Sequence, residues 1–138
     1  MTRIDILFET DRFNVSNVME HFINPGCFGE DVAEWLRQRL TEKGTTASTP
    51  GQEDWGWYLF AQRDSQHYFL GISGYRRESA TGKNDGDWRV MVEKKRSIWE
   101  KVRGTNKITD DDSMLAIIEE ILREQADIGD VRREIAAR

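Results

Sequence analysis

Residues 54–76, DWGWYLFAQRDSQHYFLGISGYR, decide the fold. The first part sets Trp55, Trp57, Leu59 and Ala61 against Gly56, Tyr58 and Phe60. Apolar groups on both faces at period two predict a strand covered on both sides, with both tryptophans on the face of Leu59. RDSQ at 63–66 reads as a short hairpin connection. It leads into a second strand, HYFLGISGY, in which Tyr68, Leu70 and Ile72 share one face, Phe69 takes the other, and Gly71 and Gly74 mark a bulge or a close backbone approach.

Working outward, DWRVMVEKK at 87–95 alternates Trp88, Val90 and Val92 with polar residues, a half-buried strand. The segment between, RRESATGKNDG at 76–86, is too polar to pack and reads as a loop. Upstream, RIDILFETDRF at 3–13 puts Ile4, Ile6 and Phe8 on one side, which suits a strand at a sheet edge. EDVAEWLRQRLTEKG at 30–44 carries Val32, Trp35, Leu36 and Leu40 on one stripe, with acids first and Lys43 and Gly44 last, so it predicts a helix. TTASTPGQ at 45–52 reads as a small polar spacer.

Downstream, RSIWEKVRG at 96–104 predicts a short helix with Ile98, Trp99 and Val102 on one side. TDDDSMLAIIEEILREQ at 109–125 predicts a stronger one, acidic at its start and broadly apolar after it. GDVRREIAAR at 129–138 reads as a terminal helix anchored by Val131 and Ile135 beside Ile128. The order strand, helix, three meandering strands and helices predicts one α+β domain over residues 1–138. Its two layers are an antiparallel sheet of about four strands and the helices packed against it.

Composition narrows the function. A chain of 138 residues, 38% hydrophobic and with five Trp and six Phe, can bury a core without disulfides or structural metal. The single Cys27 forbids an intrachain disulfide, and Met1 leads into RIDILFE rather than a basic segment with an apolar run. A cytoplasmic location and no membrane partner are expected. The net charge of −5 argues against a dedicated nucleic-acid binder. Yet residues 94–107 hold six basic residues against one acid, so the charge is split within the chain.

Two groups of residues are candidates for chemistry. Glu53 and Asp54, beside Trp57 and Tyr58 and with His67, could line a carboxylate and aromatic cleft; the plainer reading makes the acids a strand entrance and the indoles core. Lys94, Lys95, Arg96, Lys101 and Arg103 could form a basic patch with Trp99 as a stacking residue; the plainer reading is a solvated helix that offsets the acids after it. His21 and His67 lie in separate segments without zinc-motif spacing, so neither metal nor cofactor is expected. Cys27 lies before a helix and could pair with His67 as a nucleophile, but its neighbours supply no base or oxyanion hole, and a packed thiol is the plainer reading.

CFGEDVAEWLRQRL, PGQEDWGWYLF and DWRVMVEKKRSIWEKVRG together resemble a family of small bacterial proteins that enter a strand through Pro-x-x-Glu-Asp-Trp-Gly-Trp. The similar region spans residues 27–125. The resemblance implies a bacterial origin and a single-domain unit, and it transfers no activity and no catalytic residue. The expectation is a non-catalytic module that binds another protein, of an immunity or antitoxin-like kind. The alternative is a small-molecule binder or hydrolase built on the Glu53–Tyr58 cleft.

Overall fold

The structure, a computed structural model, describes the backbone of residues 2–137 and the side chains of residues 3–135. In chain order the elements are β1 (Thr2–Thr10), α1 (Glu30–Glu42), β2 (Thr46–Ala47), β3 (Gly51–Glu53), β4 (Gly56–Arg63), β5 (Gln66–Arg76), β6 (Gly86–Lys94), α2 (Ile98–Arg103), α3 (Ser113–Arg123) and β7 (Ile128–Ala137). The seven strands form one antiparallel sheet in the order β2-β4-β5-β6-β1-β7, and β3 pairs beside β2 on the same margin of β4. Among the described residues no helix is long and apolar enough to cross a membrane.

This corrects the expected two-layer α+β fold of about four strands: the described residues are mostly sheet, with three short helices. Three added strands account for the difference. The polar spacer after α1 supplies β2 and β3, which satisfy the outer backbone groups of β4. The expected terminal helix is β7, which pairs with β1 from Thr2 opposite Ala137 to Thr10 opposite Ile128 with one irregularity at Leu7 to Glu9. Arg138, the last residue of that expected helix, lies outside the described residues. Ile128, Val131 and Ile135 have helical spacing, but an open β1 margin offers a long ladder of backbone hydrogen bonds, and tertiary pairing overrides local propensity. β1 is therefore interior, between β6 and β7, rather than an edge.

The helices α1 and α3 lie on one face of the sheet. Val32, Leu36 and Leu40 of α1, and Leu115, Ile118 and Ile121 of α3, meet Ile6, Leu59, Leu70, Ile72 and Val90, all at 1% exposure or less. Each of these strand residues sits at a period-two position, which is why burial alternates as cleanly as the sequence. Arg133 of β7 reaches the same side and grips Glu119 of α3 through two bonds of 2.8 and 2.7 Å. That guanidinium holds the Glu119 carboxyl below the usual carboxylate range.

Neither α1 nor α3 covers the opposite face. There Asp5 is wholly buried between Arg3, 2.8 Å away, and Arg89, which also binds Glu134 at 2.9 Å. The network spans β1, β6 and β7, so a buried charge is matched on each side. Further along that face lie Tyr58, Phe60 and Phe69, which pack on one another, with Trp55 edge-on to Phe69.

Candidate functional site

The entrance to β4 separates the acids from His67. Glu53 pairs with Gly56, which leaves Asp54 and Trp55 as a two-residue turn between β3 and β4. The alternation therefore starts at Gly56 and does not extend back to Trp55. Trp57 is buried on the helix side, whereas Trp55, 38% exposed, crosses to the open face and packs over Gly71 and against Phe69 at 6.2 Å. The expectation that both indoles share the face of Leu59 is corrected by that turn. Gly71 and Gly74 sit in an unbroken β5–β6 register, so they mark close contact rather than a bulge: Trp55 covers the first and Trp88 the second.

Both carboxylates are exposed, and among the described residues neither side chain makes a hydrogen bond or ion pair. His67 lies opposite Gln62 at the far end of β4, six positions from Gly56, or about 20 Å along the strand. Glu53 and Asp54 therefore do not converge with His67, and Trp57 and Tyr58 point to opposite sides of the sheet. Trp57 instead donates its indole N–H to the Cys27 carbonyl at 3.0 Å and packs edge-on against Phe22 and His21. Within this group His21 contacts Glu30 at 2.7 Å.

The Cys27 thiol donates to the Asp54 carbonyl at 3.0 Å. Burial, then the nearby Asp54 carboxylate, pushes its pKa above the ordinary thiol value. The thiolate is scarce at neutral pH. Alkylation by iodoacetamide should be slower than that of a free cysteine at pH 8, with a midpoint above the ordinary value of about 8.5. A midpoint below 8 would contradict this environment.

Four of the five residues of the second candidate group share one cavity, together with His67 of the first group. His67, Lys94, Lys95, Arg96 and Lys101 line a cavity of about 390 Å³ between the β5–β6 strand ends and α2, joined by Phe60, Phe69 and Lys107. Arg103 stands exposed on α2 and is not in that lining. Two of the cations are already engaged: Lys94 lies 3.6 Å from buried Asp112, and Arg96 donates to the Thr105 and Glu100 carbonyls at 3.0 and 3.1 Å. Lys95, Lys101 and Lys107 make no side-chain hydrogen bond or ion pair among the described residues, and Glu93 is the one acid in the lining. A wider depression of about 530 Å³ over α1 is acidic, with Glu30, Asp31 and Glu34, and Asp31 there accepts the Asn14 and Val32 backbone N–H groups.

Beside the cavity, α2 is short but firmly closed. Ser97 and Glu100 form a capping box, and Gly104 ends the helix at φ 68°. No residue of α2 is buried; Ile98, Trp99 and Val102 are 77, 69 and 73% exposed. Their common side was legible in the sequence, but their exposure was not. Phe60 and Phe69 were visible as the second face of their strands, and Lys107 as the last member of the basic run; only the turn geometry brings them to one place.

No family model, curated protein or solved structure matches the chain.

Proposed function

We propose that the chain is a non-catalytic protein-binding module that docks an acidic partner surface through α2. What supports this reading most is the exposure of Ile98, Trp99 and Val102 on a helix whose two ends are capped. Apolar groups of this size held on a stiff helix lose little conformational freedom on binding, and Trp is a frequent interface anchor. Lys95, Lys101 and Arg103, all exposed, lie close to them in the chain, which favours an acidic partner with an apolar recess and speeds encounter with it. An immunity or antitoxin-like role falls within this reading. Nothing in the geometry favours the Glu53–Tyr58 cleft as a hydrolase or small-molecule site.

Trp99→Ala should leave the thermal midpoint within about 2 °C of the parent, since α2 buries nothing. It should weaken the partner by about 30-fold or more, while Tyr75→Ala, on an exposed residue of β5, leaves binding intact. The measurement is co-purification with parent and variants, followed by titration of the captured acidic protein at two salt concentrations. Capture that ignores Trp99, self-association of the pure chain in sedimentation, or retention of nucleic acid instead of protein would each remove the proposal.

A further inference from the structure

We infer that the cavity between the β5–β6 strand ends and α2 binds a small organic phosphate carrying a flat aromatic ring, of the mononucleotide class. Its volume of about 390 Å³ lies within the range of roughly 300–1,000 Å³ typical of small-molecule sites. One side is aromatic. Phe69 stacks on Tyr58 at 5.6 Å and 22°, and Phe60 meets Phe69 at 5.8 Å, so the rings brace one another and Phe60 still remains 56% exposed. The wall presents a π-surface for a base.

The other side is cationic, with Glu93 the one acid in the lining. Lys94 lies against Asp112 and Arg96 donates to the Glu100 and Thr105 carbonyls, which leaves Lys95, Lys101 and Lys107 in the lining with no side-chain hydrogen bond or ion pair among the described residues. Three such lysines against a single acid give this lining a local excess of positive charge in a chain of net charge −5, and a bound anion offsets that excess. Ammonium groups act as point charges suited to the doubly charged terminal phosphate. His67 also lines the cavity. The two readings share Lys95 and Lys101, but the apolar anchors of the partner reading, Ile98, Trp99 and Val102, line none of this cavity, so the inference stands without them.

Calorimetric titration of the full chain with AMP, GMP, CMP and UMP tests it, with adenosine, inorganic phosphate and a short single-stranded oligonucleotide as comparison arms. Saturable one-to-one binding of at least one mononucleotide is expected, with its nucleoside and free phosphate each weaker by about tenfold or more. Lys95→Gln with Lys107→Gln should weaken the nucleotide at least tenfold and leave the nucleoside unchanged; Phe60→Ala should weaken nucleotide and nucleoside but not phosphate. These residues are exposed, so the variants should fold, and an unchanged thermal midpoint verifies it. Absence of binding by all four mononucleotides overturns the inference. So does binding that neither set of substitutions alters, or binding of the oligonucleotide alone, which would make the site a nucleic-acid contact. Trp99→Ala, which tests the partner surface, should leave nucleotide binding intact.

Discussion

Replacing Trp88 by alanine should destabilise the chain by about 3–5 kcal/mol, which for this size lowers the thermal midpoint by roughly 10 °C or more. The indole is 2% exposed and stacks over Phe8 at 6.5 Å with its edge toward Phe13 at 6.0 Å. It also lies flat across Gly74, its cross-strand partner on β5: a Cβ there would sit 2.2 Å from the ring. Strand β5 carries glycine at that position because the side chain of β6 already occupies its space. Gly74→Ala alone should therefore cost about 1–3 kcal/mol through overpacking. In the Trp88→Ala background the added methyl enters the vacated volume, and the double variant should be no less stable than Trp88→Ala. Denaturant unfolding of the four proteins measures the coupling, and simple additivity would sink the contact argument. Trp88→Phe should cost clearly less than Trp88→Ala, because it keeps ring volume and removes an indole N–H that is buried without a hydrogen-bond partner among the described residues.

Asp112→Ala should be the next most damaging change, at roughly 3 kcal/mol, because one carboxylate serves three elements. It accepts the Tyr68 hydroxyl at 2.9 and 3.0 Å, accepts the Met114 N–H at 2.9 Å as the N-cap of α3, and lies near Lys94 of β6. Loss of the cap costs about 1 kcal/mol. A Tyr68 hydroxyl left buried without its acceptor adds about 1–3 kcal/mol. Asp112→Asn retains an acceptor for both bonds and should lose less than half as much. If the asparagine variant proves as unstable as the alanine one, charge rather than hydrogen bonding governs the site.

Tyr68 gives the same contact a pH signature. Burial, then the bond to Asp112, pushes its phenol well above the ordinary value of about 10. A folded-state pKa above the unfolded one contributes stability that is fully present below about pH 10 and is lost as the pH rises through the folded value. Ultraviolet titration of the three tyrosines should show one that resists ionisation in the native chain and joins the others only on alkaline unfolding. Asp112→Ala should bring that late step down toward the ordinary range. A native chain in which all three ionise together near pH 10 would contradict the buried bond.

How much of this was legible varies from element to element. The helices at Glu30–Glu42, Ile98–Arg103 and Ser113–Arg123 repeat what apolar spacing and capping residues predict, and β4, β5 and β6 repeat the period-two pattern. Trp57 and Trp55 parted because a two-residue turn ends the alternation, and sequence spacing carries no sign of where a ladder begins. The basic run of residues 94–107 was visible as charge. Its use was not, because separating engaged Lys94 and Arg96 from open Lys95, Lys101 and Lys107 depends on groups supplied by α3 and by the loop after α2.

Local physics thus determined which segments alternate, which wind into helices, and which carry the charge. Those properties depend on neighbours within one or two turns of the chain. Only tertiary structure decided the fates of Thr46–Ala47, Gly51–Glu53 and Ile128–Ala137, whose own preferences are weak or helical and which became strands because β4 and β1 had unpaired backbone to satisfy. The strand entrance PGQEDWGW belongs to both. Its sequence set Trp57 into the core, and the pairing of Glu53 with Gly56 sent Trp55 to the open face and left both acids in solvent.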